Sequence, residues 1–92
     1  MLWIGKMFII LFYDVNVKRV AKMLKTCRKY LIHVQNSVLE GEITKSDLYK
    51  LVDEIKNLIK DKDSVIYYVF RTMKYSERKV IGEDKKQEIN FI

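Results

Sequence analysis

The stretch MFIILFYDVNVKRVAKMLKTCRKY, residues 7–30, decides how the whole chain is read. Its first seven residues are apolar on both faces of an extended chain. Phe8, Ile10 and Phe12 point one way, and Met7, Ile9, Leu11 and Tyr13 the other. Side chains alternate along a strand, so such a run is covered on both sides. The run stops on Asp14. From Val17 the apolar residues recur at steps of three and four, through Val20, Ala21, Leu24 and Cys27. That is the stripe of an amphipathic helix over 17–30, with Asn16 placed to cap it.

Outward from this unit the same two periods alternate. Leu31 to Gln35 predicts a second strand, Asn36-Ser37 a turn, and Val38 to Ile43 a third strand with Gly41 as a candidate bulge. One long bent strand is the alternative. Thr44 followed by Asp47 resembles a capping box for a second helix, which runs to about Lys60. Leu48, Leu51, Val52, Ile55, Leu58 and Ile59 form its stripe. Ser64 to Arg71 is another strand apolar on both faces, and RKVIGE predicts a fifth. The order strand, helix, strand, strand, helix, strand folds with right-handed crossovers as a split βαβ, ferredoxin-like sheet. The fold class is α+β: a βαββαβ sandwich with an extra C-terminal strand. Residues 1–6 read as an N-terminal extension, since Met7 can also serve as a start, and residues 7–79 as the domain.

Two helices cover one face of that sheet. The two-faced strands require a cover for the other face, and a second copy about a two-fold axis is the simplest one. We therefore expect a homodimer. Residues 80–92, ending in the apolar INFI, are expected to pair with the partner subunit, because an exposed apolar tail is a liability unless paired.

The charge is one-sided. Residues 1–39 hold seven Lys or Arg and one acid, whereas residues 40–92 hold eleven of each, so the net charge of +6 arises in the first part. A block of one sign favours a polyanionic partner over a merely solvated surface. Lys25, Arg28 and Lys29 lie near the helix C-terminus, where the macrodipole favours cations. Lys18 and Arg19 lie in the first turn, where it does not, so a purely helical explanation fails for them. A single cysteine, Cys27, excludes an intrachain disulfide. Its place on the stripe makes it a small core hydrophobe in a cytoplasmic protein. The apolar run at 7–13 is too short to span a membrane, which takes about 20 residues.

Asp14, at the carboxyl end of the first strand, has a plain reading as a turn residue before the helix. The dimer gives it another. Near a two-fold axis one carboxylate becomes two, and two hard oxygen donors with water suit Mg²⁺. Mg²⁺ there would assist a phosphodiester displacement while the cations hold the backbone. The sequence holds no glycine-rich phosphate loop, no Cys/His metal cluster and no Ser-His-Asp set. His33, the one histidine, lacks an evident partner for general base work.

YDVN after the first strand, RVAKML in the helix, VQNSVLEGEIT before the second helix, and VIYYVF with VIGE together resemble the CRISPR-associated Cas2 family. The resemblance spans about residues 7–92. It implies a ferredoxin-like dimer and a Mg²⁺-dependent endonuclease on single-stranded RNA or double-stranded DNA. It also implies work beside the Cas1 integrase in spacer acquisition for antiviral defence. It makes Asp14 the metal ligand and catalytic residue with Tyr13 beside it. It matches Arg19 to the family's helix arginine. Together with the basic block, it leads us to expect Lys18, Arg19, Lys22, Arg28, Lys29 and His33 to bind nucleic acid. Leu39 stands where many members have Phe, and His33 where some have Arg. The alternative within the family is a non-catalytic dimeric scaffold that holds duplex DNA. A small-ligand regulatory dimer is a third reading, opposed by the basic helix.

Overall fold

A computed structural model of the chain describes residues 6–72 and 75–83. Its elements are β1 (Met7–Asp14), α1 (Val17–Cys27), β2 (Ile32–Gln35), β3 (Val38–Ile43), α2 (Lys45–Leu58), β4 (Ser64–Thr72) and β5 (Tyr75–Gly82). The strands form one sheet in the order β2-β3-β1-β4-β5. Every neighbouring pair is antiparallel. This is the ferredoxin-like α+β arrangement with an added fifth strand, and β2 and β3 are separate strands.

Burial along β1 alternates. Met7, Ile9, Leu11 and Tyr13 are buried on the helix side, and Phe8, Phe12 and Asp14 are exposed on the other. The core beneath the helices adds Leu39, Ile43, Val65, Val69 and Ile81 from the other strands. Leu48, Leu51 and Ile55 supply it from α2, as the stripe predicts. Thr44 caps that helix, its Oγ1 accepting the Asp47 N–H at 3.1 Å. The Asn16 side chain likewise accepts the Lys18 N–H at 2.9 Å and caps α1.

Helix α1 departs from the stripe expected for it. Its buried residues are Met23 and Cys27, while Val17 is 82 % exposed and Ala21 is also at the surface. The inward row is Arg19, Met23 and Cys27, at steps of four, which share one helix face. Arg19 is at the sheet end, and its inward turn rotates the helix away from the Val17 row. The helix also stops at Cys27, three residues earlier than its apolar pattern allows. The Cys27 thiol packs against the Met23 sulfur at 3.8 Å, and burial pushes its pKa up to about 12, so it is an inert core group.

Two further expectations are corrected. The β1–β3 ladder passes through Gly41, opposite Ile9, without interruption, and the register shift falls instead between His33 and Gln35 in β2. The fifth strand is longer than RKVIGE, and its Val80, Ile81 and Gly82 lie opposite Ile66, Val65 and Ser64 of the same chain. Those first residues of the expected partner-pairing segment pair with β4 along one edge, and β5 is the outer strand of the sheet. Residues 84–92 lie outside the described residues, as do 1–5.

On the face without helices, Phe8, Ile10 and Phe12 of β1 lie opposite Phe70, Tyr68 and Ile66 of β4. The Phe8 and Phe70 rings are 6.4 Å apart, and Phe12 meets Tyr68 edge-on at 6.1 Å. Phe8 and Phe12 are 36 % and 39 % exposed, so an aromatic patch of the chain lies open.

Candidate nucleic-acid and metal site

The end of β1 outruns β3. Phe12 is the last β1 residue with a β3 partner, Val38, and beyond it the Tyr13 N–H donates to the Ser37 carbonyl at 3.1 Å. Asp14 keeps a ladder partner on the other side, Ser64 of β4. Its carboxylate is thus exposed at the end of the central strand in a cleft walled by Tyr13, Val15, Val20, Asn36 and Ser37. The Tyr13 ring is buried beneath it, and that burial, then the Cys27 sulfur, raises the phenol pKa. Asn36 holds the opposite wall in a left-handed turn at φ 41°, and His33 Nε2 lies 2.6 Å from its carbonyl. His33 is thereby tied to the cleft wall, a partner the sequence does not reveal.

The cations divide into three groups. Lys18 and Lys22 are exposed on successive turns of α1, turned away from the Val20 side, and Lys22 lines a groove against Glu54, Asn57 and Leu58 of α2. Arg28 lies about 15 Å beyond Lys18 and about 9 Å beyond Lys22 at 1.5 Å per residue, with Lys29 next to it. With Lys25 they border a groove over Ala21 and Leu24. Lys29 is also paired with Glu54 of α2, which accepts the Tyr30 hydroxyl at 2.6 Å. Lys29, then Tyr30, lowers the Glu54 pKa, and Glu54 in turn pushes the Tyr30 phenol up to about 12.

Arg19 forms the third group, and the structure pairs it with a carboxylate of its own chain. Its Nε and second guanidinium nitrogen donate to the two oxygens of Asp63 at 2.5 and 3.0 Å. Asp63 is 2 % exposed. It also accepts the backbone N–H groups of Asn16 at 2.9 Å and Lys60 at 3.0 Å. The Arg19 guanidinium, assisted by those two N–H groups, holds the Asp63 carboxyl far below the usual range despite burial. Sequence reasoning passed over Asp63. The signal was present in Arg19 itself, since a cation in a first helical turn calls for a partner.

Arg19→Ala leaves this carboxylate buried with two of its four donors. The expected loss is roughly 2–3 kcal/mol, at or below the low end for breaking a buried pair, because Asp63 retains its backbone donors. For a chain of this size that lowers Tm by about 10–20 °C. The Asp63 pKa is depressed on folding, so its contribution is complete above the ordinary Asp value near pH 4. It is lost as pH falls through the folded value. Urea unfolding of wild type and variant should therefore differ fully at pH 7, and the difference should shrink steadily as pH falls below about 4 toward the strongly depressed folded value; an acid-independent difference contradicts the pairing.

Among the described residues no group of three or more His, Cys, Asp or Glu could hold a metal ion. Asp14 alone is a single hard carboxylate in an open cleft beside the oxygen-bearing side chains of Asn36 and Ser37. That donor set fits Mg²⁺, which retains most of its waters and takes one or two carboxylates. It does not fit a fully caged structural metal.

A ferredoxin-like sheet with an acidic, open strand end and a cationic first helix defines a small α+β protein suited to phosphate-rich ligands. The family model for CRISPR associated protein Cas2 matches residues 7–78, and the chain belongs to that family. The CRISPR-associated endoribonuclease Cas2 of Dictyoglomus turgidum is 51 % identical over 88 % of this chain and 94 % of its own length. Its namesake in Thermotoga maritima is 48 % identical, over 89 % and 95 %. A crystal structure of Cas2 superposes with a TM-score of 0.72 at 40 % identity, covering 96 % of this chain and 99 % of the other. No helix among the described residues is long and apolar enough to cross a membrane.

Proposed function

We propose that this protein is a Mg²⁺-dependent endonuclease of single-stranded RNA or double-stranded DNA. It acts as a homodimer in the cytoplasm, beside the Cas1 integrase, in CRISPR spacer acquisition. The observation that carries the reading is the exposed Asp14 at a strand end open to solvent, on a chain whose relatives are named endoribonucleases. Asp14, with its counterpart in a second copy, would hold Mg²⁺. When bound, the ion supplies water activation and charge neutralisation for phosphodiester displacement. The chain's own residues do the rest. Lys18 and Lys22 hold phosphates on the outer face of α1, and Lys25, Arg28 and Lys29 extend the track along it. The Tyr13 backbone and the Asn36–Ser37 turn, braced by His33, fix the cleft width.

The test is cleavage of labelled RNA and duplex DNA with Mg²⁺ and with chelator, using Asp14→Ala as control. Cleavage restricted to Mg²⁺ and to wild type supports the reading. Wild-type protein that never cleaves leaves the second reading, a dimeric scaffold for duplex DNA. That reading draws on the length of the cationic track beyond the cleft.

Both readings expect binding without base preference. Log K should fall with log salt at about −0.9 per phosphate engaged on duplex DNA. With Lys18 and Lys22 from two copies, a slope near −4 is the expected scale in filter-binding or anisotropy titrations. A flat slope or a marked preference for one sequence contradicts it.

A further inference from the structure

We propose that Asp63 is a positioning residue for the Asp14 site: it fixes the turn that carries Asp14 and withholds Arg19 from nucleic acid. The inference rests on the reading of Asp14 as the working carboxylate.

Asp14 is held on its strand side by Ser64, the residue that follows Asp63. Two residues further on, the Asn16 N–H is held by the Asp63 carboxylate. Asp14 and Val15 thus bridge two points anchored to adjacent residues, Asp63 at the end of the α2–β4 connection and Ser64 at the start of β4. The same carboxylate takes both donors of Arg19 in the first turn of α1, so strand end, turn and helix start share one anchor. Its backbone is fixed as well. The Asp63 carbonyl accepts the Glu83 N–H at 3.0 Å and sits against Gly82, where a Cβ would come within 2.3 Å of it. Gly82 also has φ +94°, a left-handed conformation that disfavours other residues. The β5 end is therefore closed down onto the anchor.

The charge state matters to function as well as to shape. A lone buried acid beside Asp14 would repel phosphate, and the Arg19 pair cancels it. The cost is that Arg19, which is close to the cleft, makes no phosphate contact. A neutral capping residue would hold the turn without this trade, and the two roles separate by experiment.

Asp63→Asn keeps an acceptor oxygen and releases Arg19. With the full chain, RNA and Mg²⁺, kcat should fall about 10- to 100-fold, the usual effect of removing a group that orients a ligand. KM should stay or decrease, because Arg19 becomes available. On duplex DNA the salt slope should steepen by about 0.9 for each released Arg. Leu51→Ala, a core cavity remote from the strand end, should lose stability yet keep kcat and slope, when all proteins are assayed where they are folded. Should Asp63→Asn not fold, Arg19→Lys carries the test: it keeps the charge but loses the two-pronged geometry, and should lower kcat without raising KM. An active wild type with unchanged kcat and unchanged slope in these variants overturns the inference. A wild type that never cleaves overturns the nuclease reading and, with it, the positioning role; an unsteepened slope then removes the withholding role too.

Discussion

Asp14→Asn is expected to reduce Mg²⁺-dependent cleavage to background, a fall of about 100-fold or more, while the protein stays folded and bound to nucleic acid. The substitution preserves size and turn preference and removes a charge. Loss of one electrostatic group at a reacting phosphate is worth about 10²–10³ in rate. Exposure at the strand end keeps the stability change well below that of a core substitution. Binding should persist and tighten slightly, since a negative charge facing phosphate is gone. Measured together, Tm, duplex affinity and cleavage separate the roles. A loss of about 1–2 kcal/mol with cleavage intact would make Asp14 a turn or cap residue. Unchanged stability with lost cleavage leaves the metal-ligand role.

Much of the fold was legible because the strongest signals are periodic. The two-faced β1 and β4 runs, the α2 stripe and the Asn36-Ser37 turn each follow from local pattern. Helix α1 was not, because its inward row is Arg19, Met23, Cys27. A pattern that scores cations as outward necessarily rotates such a helix. The reason lies 44 residues away in Asp63, and no local window contains both. The β2 bulge was misplaced for a related reason. Glycine marks a place where irregular backbone is cheap, whereas register is set by the partner strand. Of the site, Tyr13 and Asp14 follow from where an apolar run ends. That His33 braces Asn36, and that Asp63 anchors the turn, depend on tertiary placement that residue types do not encode.

Phe12→Asp is expected to dissociate the proposed homodimer and, with it, to remove the proposed cleavage while leaving the single chain folded. Phe12 is on the central strand of the helix-free face, opposite Ile66 and edge-on to Tyr68. In the single chain it is 39 % exposed, so a carboxylate there still reaches water and the core beneath is untouched. In a dimer closed across this face it would be buried, and the two-fold axis would place a second copy of the charge in the same interface. A standard interface needs about 800 Å² per partner. The chain exposes 6913 Å², so roughly a ninth of it suffices, and the Phe8, Ile10, Phe12, Ile66, Tyr68 and Phe70 patch supplies its centre. Burying an unpaired charge there costs about 3–5 kcal/mol. At 1.4 kcal/mol per tenfold, that raises the dissociation constant by about 10²–10³·⁵. Sedimentation at low micromolar concentration should show a monomer with unchanged far-UV circular dichroism. Cleavage should disappear because each cleft then holds one carboxylate. Nucleic acid binding should survive with about half the salt slope, as one α1 track remains per particle. A variant that is monomeric yet cleaves at the wild-type rate would show that one Asp14 suffices, and a wild type already monomeric at that concentration would refute the closed sheet face.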